Sequence, residues 1–213
     1  MRLLAPTLGA FILLISASGA APTRPLFSGK DFAGWEFVST PAADIATVCQ
    51  LLPDGIIAAT GKPVGFLATT TRYENYRFHA EWRWSDKPGN GGVLVHISSG
   101  PKDRAWPLSI QIQTKNKNAG DVLPMAGATF AEKLSTPPEA KTPVLNHVAP
   151  DSEKPVGEWN SCDLTCRGDT IEAVINGVPQ NTVTHVTPAS GRIGFQFEGT
   201  PFEIRNVSLT PLD

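Results

Sequence analysis

The chain has 213 residues, a formal net charge of −2 at neutral pH and a pI near 6.1. The slightly negative net charge and the absence of a lysine- or arginine-rich run are not typical of a nucleic-acid-binding protein. Once a leader segment is set aside, roughly 190 residues remain, which suits one all-β domain with its own core.

The first residues have the pattern of a secretory signal peptide. Arg2 precedes the apolar run Leu8–Ile15, and Ser18–Ala20 supplies small residues for cleavage before Ala21. The run is shorter than the about 20 residues that span a bilayer. We therefore expect a signal peptide over 1–20, a single domain over 21–213 and an exported protein, periplasmic or secreted, with no stable membrane insertion. An uncleaved N-terminal anchor is the alternative.

Strand signals dominate the rest of the chain. Short alternating or β-branched runs are separated by Gly, Pro, Asn and Asp clusters, as is typical of a sandwich or barrel. Asn176-Gly177 predicts a tight hairpin turn, because both residues tolerate positive φ. Ala126–Lys133 is the one segment that favours a short helix. The predicted strands are Gly55–Ala59, Gly65–Thr69, Tyr76–Trp84, Gly92–Ser98, Leu108–Gln113, Cys162–Arg167, Thr170–Ile175, Arg192–Glu198 and Phe202–Leu209.

Two features lie outside this strand pattern. The segment Lys115–Trp159 is rich in Pro, Asn, Gly and Ala and is long for a loop, which predicts a functional lid or a disordered connection. Cys162 and Cys166 share one predicted strand, about 13 Å apart, so they cannot bridge each other. Cys49 could pair with one of them in an oxidising compartment, but buried free thiols are the favoured interpretation.

Alternation gives several strands one apolar and one polar side, because successive side chains point to opposite faces. Carboxylates, amides and cations on the polar sides are well suited to hydrogen bonding with sugar hydroxyls. We therefore predict one shared polar surface that His96 also joins; ordinary solvated strand faces are the alternative. The polar positions are Arg77, His79, Glu81, Arg83, Ser109, Gln111, Gln113, Arg192, Gln196 and Glu198.

A set of motifs, in a fixed order, covers nearly all of residues 21–213. It opens with Leu26–Trp35, which reads LFSGKDFAGW and resembles the LFNGKDLSGW motif of the 3-keto-disaccharide hydrolase family. The chain departs from that family at Asn90-Gly91-Gly92, where Asn-Ser-Gly is frequent, and near His96, where Arg is common. The further similar segments are Glu81–Trp84, Asn90–Val93, Trp106–Gln113, Ala119–Asp121, Gly157–Asn160, Asn176-Gly177, Gly191–Gly199 and Phe202–Val207.

This resemblance implies an all-β fold, a concanavalin A-like jelly-roll β-sandwich of two antiparallel sheets with one long irregular loop. It also implies a concave carbohydrate site and activity on glycosides already oxidised at C3. A ketone at C3 acidifies the C2 hydrogen, so a base can remove that proton. The enolate then expels the C1 aglycone, and water adds to the resulting enone.

Glu81 and His96 are the first choices for proton transfer, since each lies in a strand near a Gly-rich turn. The alternative roles are an ion pair for Glu81 and a structural hydrogen bond for His96. Further polar or aromatic residues are candidates for binding the 3-keto sugar. These candidates are His79, Arg83, Trp106, Gln111, Gln113, Asp121, Gln196 and Glu198.

No cofactor is firmly implied, and a divalent metal stays open as an alternative, because a hard cation would stabilise an enolate. The chain has no HExxH motif, zinc-type Cys/His spacing or Asp-rich calcium loop. Two other functions compete with the 3-keto-glycoside hydrolase. One is a non-catalytic sugar-binding module. The other is a conventional glycosidase, in which Glu81 and Glu198 would lie about 5 to 10 Å apart.

Overall fold

Fourteen β-strands form two antiparallel sheets in the computed structural model, which describes residues 21–137 and 139–213. The signal peptide predicted over 1–20 lies outside the described residues. The strands are β1 Arg24–Pro25, β2 Trp35–Ser39, β3 Cys49–Leu51, β4 Ile57–Ala59, β5 Gly65–Thr69, β6 Tyr76–Trp84, β7 Gly92–Asp103, β8 Trp106–Gln113, β9 Val122–Met125, β10 Asn160–Arg167, β11 Thr170–Ile175, β12 Val178–Val183, β13 Arg192–Phe197 and β14 Phe202–Pro211.

The order of strands in each sheet combines runs of consecutive strands with crossovers. The eight-stranded sheet runs β12-β11-β10-β6-β14-β4-β3, with β1 paired to β14. The six-stranded sheet runs β2-β5-β13-β7-β8-β9. Every strand pairing is antiparallel. The predicted two-sheet antiparallel sandwich is therefore confirmed.

The core lies between the two sheets and is built from the alternate apolar positions. Strand β6 contributes Trp82 and Trp84 from the eight-stranded sheet, and Ile110 and Phe197 face them from the six-stranded sheet; all are at most 4% exposed. Burying one such large side chain is worth about 1.5–3 kcal/mol. Because the apolar faces of both sheets meet in the middle, their polar faces point outward in opposite directions. The molecule therefore has two polar surfaces rather than one.

Several strand boundaries agree with the sequence patterns, and β5, β6 and β11 match them residue for residue. The unpredicted strands β1, β2, β3, β9 and β12 are short and mostly lie near sheet edges. The helix expected at Ala126–Lys133 is wrong. Ala126 and Gly127 have φ values of 53° and 97°, which no right-handed helix accommodates. The helical turns are instead Ile45–Val48, capped by Asp44, and the 3₁₀ turn Pro53–Gly55.

The long segment between β8 and β10 is ordered by specific contacts. Its first part contains β9, which pairs with β8, and its last part is held by Glu153. The Glu153 carboxylate accepts hydrogen bonds from Trp84 Nε1 at 3.1 Å, Asn116 Nδ2 at 2.9 Å and the Lys117 amide at 2.8 Å. Burial raises the pKa of Glu153, and these three donors oppose that rise. The segment is thus fastened to the loop that follows β8.

The three cysteines, Cys49, Cys162 and Cys166, are buried and unpaired, which agrees with the free-thiol interpretation. Burial raises the pKa of Cys49 and of Cys166 to about 12, so both thiols stay protonated at neutral pH. Within the ranges given above, no helix is both long and apolar enough to cross a membrane.

Candidate functional site

A cleft of about 580 Å³ opens on the outer face of the six-stranded sheet. Its floor is formed by outward-facing residues of β8 and β13. One end is bounded by the β7–β8 turn at 103–106, and another wall comes from residues 136, 141–144 and 146 of the long segment. Six residues predicted to bind substrate line this cleft: Trp106, Gln111, Gln113, Asp121, Gln196 and Glu198.

A glycine on β7 makes room for this floor. Gly92 pairs with Gln113, so it lies between the outward-facing side chains of β8 and β13. A Cβ atom at Gly92 would lie 2.6 Å from Gln111 Cγ, closer than van der Waals contact allows. The absence of a side chain at Gly92 therefore lets the Gln111 side chain lie across the cleft floor.

The floor carries amide groups whose hydrogen bonding is incomplete. Gln111 Nε2 donates to Gln113 Oε1, and Gln196 Nε2 donates to Glu198 Oε2 at 2.8 Å. Oε1 of Gln111 and Oε1 of Gln196 are buried and have no partner among the described residues. A buried acceptor left unpaired costs about 1–3 kcal/mol. The floor is therefore suited to a ligand, or to water, that brings hydroxyl donors.

Glu198 is the cleft carboxylate whose pKa is clearly shifted. Burial raises its pKa above the usual glutamate range, and the positive charges of Lys115 and Arg104 partly offset that rise. A carboxyl group whose pKa lies closer to neutrality is better matched to proton transfer near physiological pH. Glu198 can therefore serve as an acid or a base within this cleft.

Asp121 is the deeply buried carboxylate of the cleft, at 3% exposure. Its Oδ1 atom accepts hydrogen bonds from the His147 amide at 2.8 Å and from His147 Nδ1 at 2.6 Å. The sequence patterns did not predict a role for His147. No motif in the sequence around His147 predicts its contact with Asp121. The two residues meet only because the long segment folds back to the start of β9.

Other cleft residues were also missed from the sequence. The alternation of polar and apolar residues does not predict Asn90 as a cleft residue, although Asn90 begins the Asn90-Gly91-Gly92 motif. Lys115 and Asn118 lie in the turn after β8, and Lys141 lies in the opposite wall. These residues come from irregular segments, where a period of two gives no information about orientation.

The prediction that Glu81 shares a concavity with His96 is wrong. Glu81 lies on β6, in the other sheet, and its side chain is on the outer face opposite the cleft. Its carboxylate accepts from Arg205 Nε at 2.6 Å and from Asn206 Nδ2 at 2.9 Å. Partial burial raises the pKa of Glu81, but hydrogen bonds from Asn206 and Arg205 outweigh that effect and lower it overall. Glu81 is a satisfied ion-pair partner.

His96 is in the protein interior rather than in the cleft. It has a φ of 55° at an irregularity in the β7 pairing, and this resets the alternation of the strand. The side chain is fully buried, with Nδ1 2.9 Å from the Pro188 carbonyl and the ring 6.3 Å edge-on from Tyr76. Burial lowers the pKa of His96 to about 4. His96 therefore makes a structural hydrogen bond, which is the alternative to proton transfer that its sequence context allows.

His79 and Arg83 also lie on the outer face of the eight-stranded sheet, so they are not in the cleft. His79 Nδ1 is 2.6 Å from Asp163 Oδ1, and this hydrogen bond raises the pKa of the imidazole. Arg83 Nε donates to Glu203 at 2.6 Å, and its guanidinium lies 4.6 Å from the centre of the Trp159 ring. This face is an ion-paired surface.

The placement of Glu81 predicts the outcome of a substitution. We expect Glu81→Gln to leave turnover of any cleft substrate unchanged within assay error, because the cleft opens on the opposite side of the sandwich. The loss of the Arg205 ion pair is expected to cost at most about 1 kcal/mol of stability at this partly exposed site. Steady-state kinetics beside urea unfolding measures both effects. A large fall in kcat with unchanged stability would contradict the assignment of the cleft.

Metal-ligating side chains do not converge in the part of the chain that the structure describes. No group of three or more His, Cys, Asp and Glu residues there is arranged to hold a metal ion. Among the described residues, Asp121 of the cleft is paired with His147, whose Nδ1 lies 2.6 Å from Oδ1.

A profile of the 3-keto-α-glucoside-1,2-lyase-like domain matches residues 22–210. The chain belongs to that family. Among curated proteins, none matches the sequence. A candidate glycosyl hydrolase from Parabacteroides distasonis is similar in structure, with a TM-score of 0.63 and 23% identity over 90% of this chain and 94% of that one.

More distant structures share the sandwich. Carbohydrate-binding module CBM66 from Bacillus subtilis has a TM-score of 0.58 at 10% identity, over 84% of this chain and 97% of that one. A β-glucanase from Bacillus licheniformis has a TM-score of 0.55 at 11% identity, over 92% of this chain and all of that one. These likenesses agree with the jelly-roll fold predicted from the sequence.

Proposed function

We propose that this protein cleaves the glycosidic bond of 3-keto-glycosides, removing the C2 proton, expelling the C1 aglycone and then adding water. The observation that carries the proposal is the cleft on the six-stranded sheet, where Glu198 and Asp121 lie among hydrogen-bonding amides. Membership of the 3-keto-α-glucoside-1,2-lyase-like family supports the same chemistry. The leader-like N-terminus supports a further proposal, that the protein acts after export.

The composition of the cleft meets the needs of the substrate. The amide oxygens of Gln111 and Gln196, which have no partner in the described part of the chain, favour a ligand rich in hydroxyl donors. Trp106 is largely buried, at 8% exposure, and forms an apolar part of the cleft wall. A neutral sugar needs no cluster of like charges, and the cleft mixes the cations Lys115 and Lys141 with carboxylates.

The elimination needs two proton transfers, and two of the three carboxyl groups that line the cleft, Asp121 and Glu198, lie in different surroundings. Glu198, whose pKa is raised by burial, is suited to protonate the departing C1 oxygen. A second group must accept the C2 proton. Each correctly positioned acid or base contributes about 10²- to 10⁴-fold to the rate.

The test is turnover of oxidised against unoxidised sugars. The protein without residues 1–20 is incubated with 3-keto-trehalose, 3-keto-sucrose, trehalose and sucrose, and products are separated by chromatography. We expect loss of the 3-keto sugars alone. Binding of sugars without product would overturn the proposal in favour of a sugar-binding module. Cleavage of the unoxidised sugars would overturn it in favour of a conventional glycosidase.

A further inference from the structure

The two oxygens of the Asp121 carboxylate lie in different environments. Both hydrogen bonds from His147, one from its backbone amide and one from Nδ1, go to Oδ1. Oδ2 has no hydrogen-bond partner within residues 21–137 and 139–213, and Asp121 lines the cleft. One oxygen is therefore fixed by the protein, and the other is left available to a ligand.

The backbone around Asp121 is held firmly. The Gln113 amide donates to the Asp121 carbonyl at 2.9 Å, and the Asp121 amide donates to the Asn118 carbonyl at 3.1 Å. These bonds close the turn between β8 and β9. A base in a fixed position loses little orientational freedom when the substrate binds, which favours proton transfer.

His147 is also held from both sides. Leu145 and Val122 exchange a pair of backbone hydrogen bonds at 2.9 Å, which fastens the long segment to β9. The Val148 amide then donates to the Gln180 carbonyl at 2.9 Å on the neighbouring strand β12. With residues on both sides anchored, the imidazole is presented to Asp121 in one orientation.

We infer that Asp121 is the catalytic base that accepts the C2 proton, and that His147 is the positioning residue that orients it. The inference rests on the proposed function. Asp121 Oδ2 takes the proton from C2, and the C–H electron pair forms the C2=C3 bond of an enolate as the C3 carbonyl π electrons move to oxygen. When the enolate collapses, the C3 carbonyl re-forms, the C2=C3 electrons form the C1=C2 bond, and the C1–O bond breaks. Glu198 gives its proton to the departing oxygen, so an enone and a free aglycone alcohol result.

The contrast between the two carboxyl groups supports this division of roles. Both hydrogen bonds from His147 go to Oδ1 of Asp121, so Oδ2 is the atom left to accept a proton. Burial instead favours the protonated form of Glu198, which is the form that an acid requires. Two carboxyl groups whose surroundings differ in this way are typical of acid and base partners.

Hydrogen exchange at C2 separates the base from the acid. Each variant is incubated in D₂O with 3-keto-trehalose, and NMR follows both the C2 proton signal and the free sugar. We expect Glu198→Gln to exchange the C2 proton faster than the enzyme-free control while cleaving slowly. We expect Asp121→Asn, and the double variant, to do neither. Circular dichroism checks that each variant is folded.

A matched pair of variants tests His147. Asn places an amide donor where Nδ1 lies, so His147→Asn is expected to recover most activity, whereas His147→Leu cannot donate. We expect His147→Leu to lower kcat by about 10- to 100-fold, the effect of one hydrogen bond to a charged group. The KM of His147→Leu is expected to change little. When His147→Leu is combined with Glu198→Gln, the rate of C2 proton exchange is expected to fall by the same factor as kcat. Equal kcat values for the Asn and Leu variants would overturn the role of His147.

The outcomes distinguish the two proposals. If the unmodified protein cleaves 3-keto-trehalose but the double variant exchanges C2 as fast as Glu198→Gln, Asp121 is not the base and only this inference fails. If the unmodified protein neither cleaves nor exchanges any of the 3-keto sugars, the proposed function fails together with it.

Discussion

Glu198→Gln is expected to lower kcat for 3-keto-glycoside cleavage by about 10²- to 10⁴-fold, the usual contribution of a positioned general acid. Gln has nearly the shape of Glu but carries no transferable proton. The Gln196 side chain, which donates to Glu198 Oε2 at 2.8 Å, can still donate to the new amide oxygen. The cleft geometry is therefore expected to survive while the chemical step is lost. Steady-state kinetics with 3-keto-trehalose measures the change.

A matched control makes the same chemical change elsewhere. Glu172 is exposed on β11 of the eight-stranded sheet, and Glu172→Gln is expected to leave kcat unchanged. A substrate with a very acidic leaving group, such as a nitrophenyl 3-keto-glucoside, needs little protonation. Its cleavage should depend much less on Glu198. An equal loss of rate for good and poor leaving groups would contradict the role of Glu198 as the acid.

Acidification is expected to destabilise the protein through His96. Burial holds the pKa of this imidazole at about 4, against 6.5 for the unburied group. The unfolded chain therefore takes up a proton below about pH 6.5 that the folded protein does not accept until about pH 4. The stability contributed by neutral His96 is full above this window and is lost as the pH falls through it. The loss is about 3 kcal/mol, since one pKa unit corresponds to about 1.4 kcal/mol.

A variant isolates this contribution from other titrating groups. His79 has a raised pKa, so it acts in the opposite direction, adding stability at low pH that is lost as the pH rises through its folded value. His96→Asn removes the titration while keeping a residue that tolerates positive φ. Urea unfolding at pH 7, 5.5 and 4 should show the stability of the unmodified protein falling relative to this variant by about 3 kcal/mol. Parallel curves for the two proteins would contradict the prediction.

Alternation along single strands was enough to predict which residues share a face. It placed Phe78 opposite Arg77 on β6 and Ile110 opposite Gln111 on β8, as the structure has them. Alternation does not say which sheet a strand joins. In a sandwich, both sheets have an inner apolar face and an outer polar face, so β6 and β8 give the same pattern. Alternation therefore assigns Glu81 and Gln111 to one surface, although they lie on opposite sides of the molecule.

The error at His96 has a different physical origin. A period of two holds only while the strand is regular, and the left-handed backbone at His96 interrupts it. No residue type marks this point, since glycine would be the usual signal of positive φ. The Asp121–His147 pair was missed for a third reason. Its members are separated by 25 intervening residues and meet only through tertiary structure.

The position of the cleft on one side of the sandwich has a practical consequence for handling the protein. The opposite face is the outer side of the eight-stranded sheet, and its exposed side chains, such as Arg77 and Glu172, do not line the cleft. A dye, a resin or a biosensor surface attached through cysteines substituted at these two positions would leave the cleft open to solvent. The three native thiols are buried, so they would not compete for the label. In protein immobilised in this way, the cleft should stay as accessible to small molecules as it is in solution.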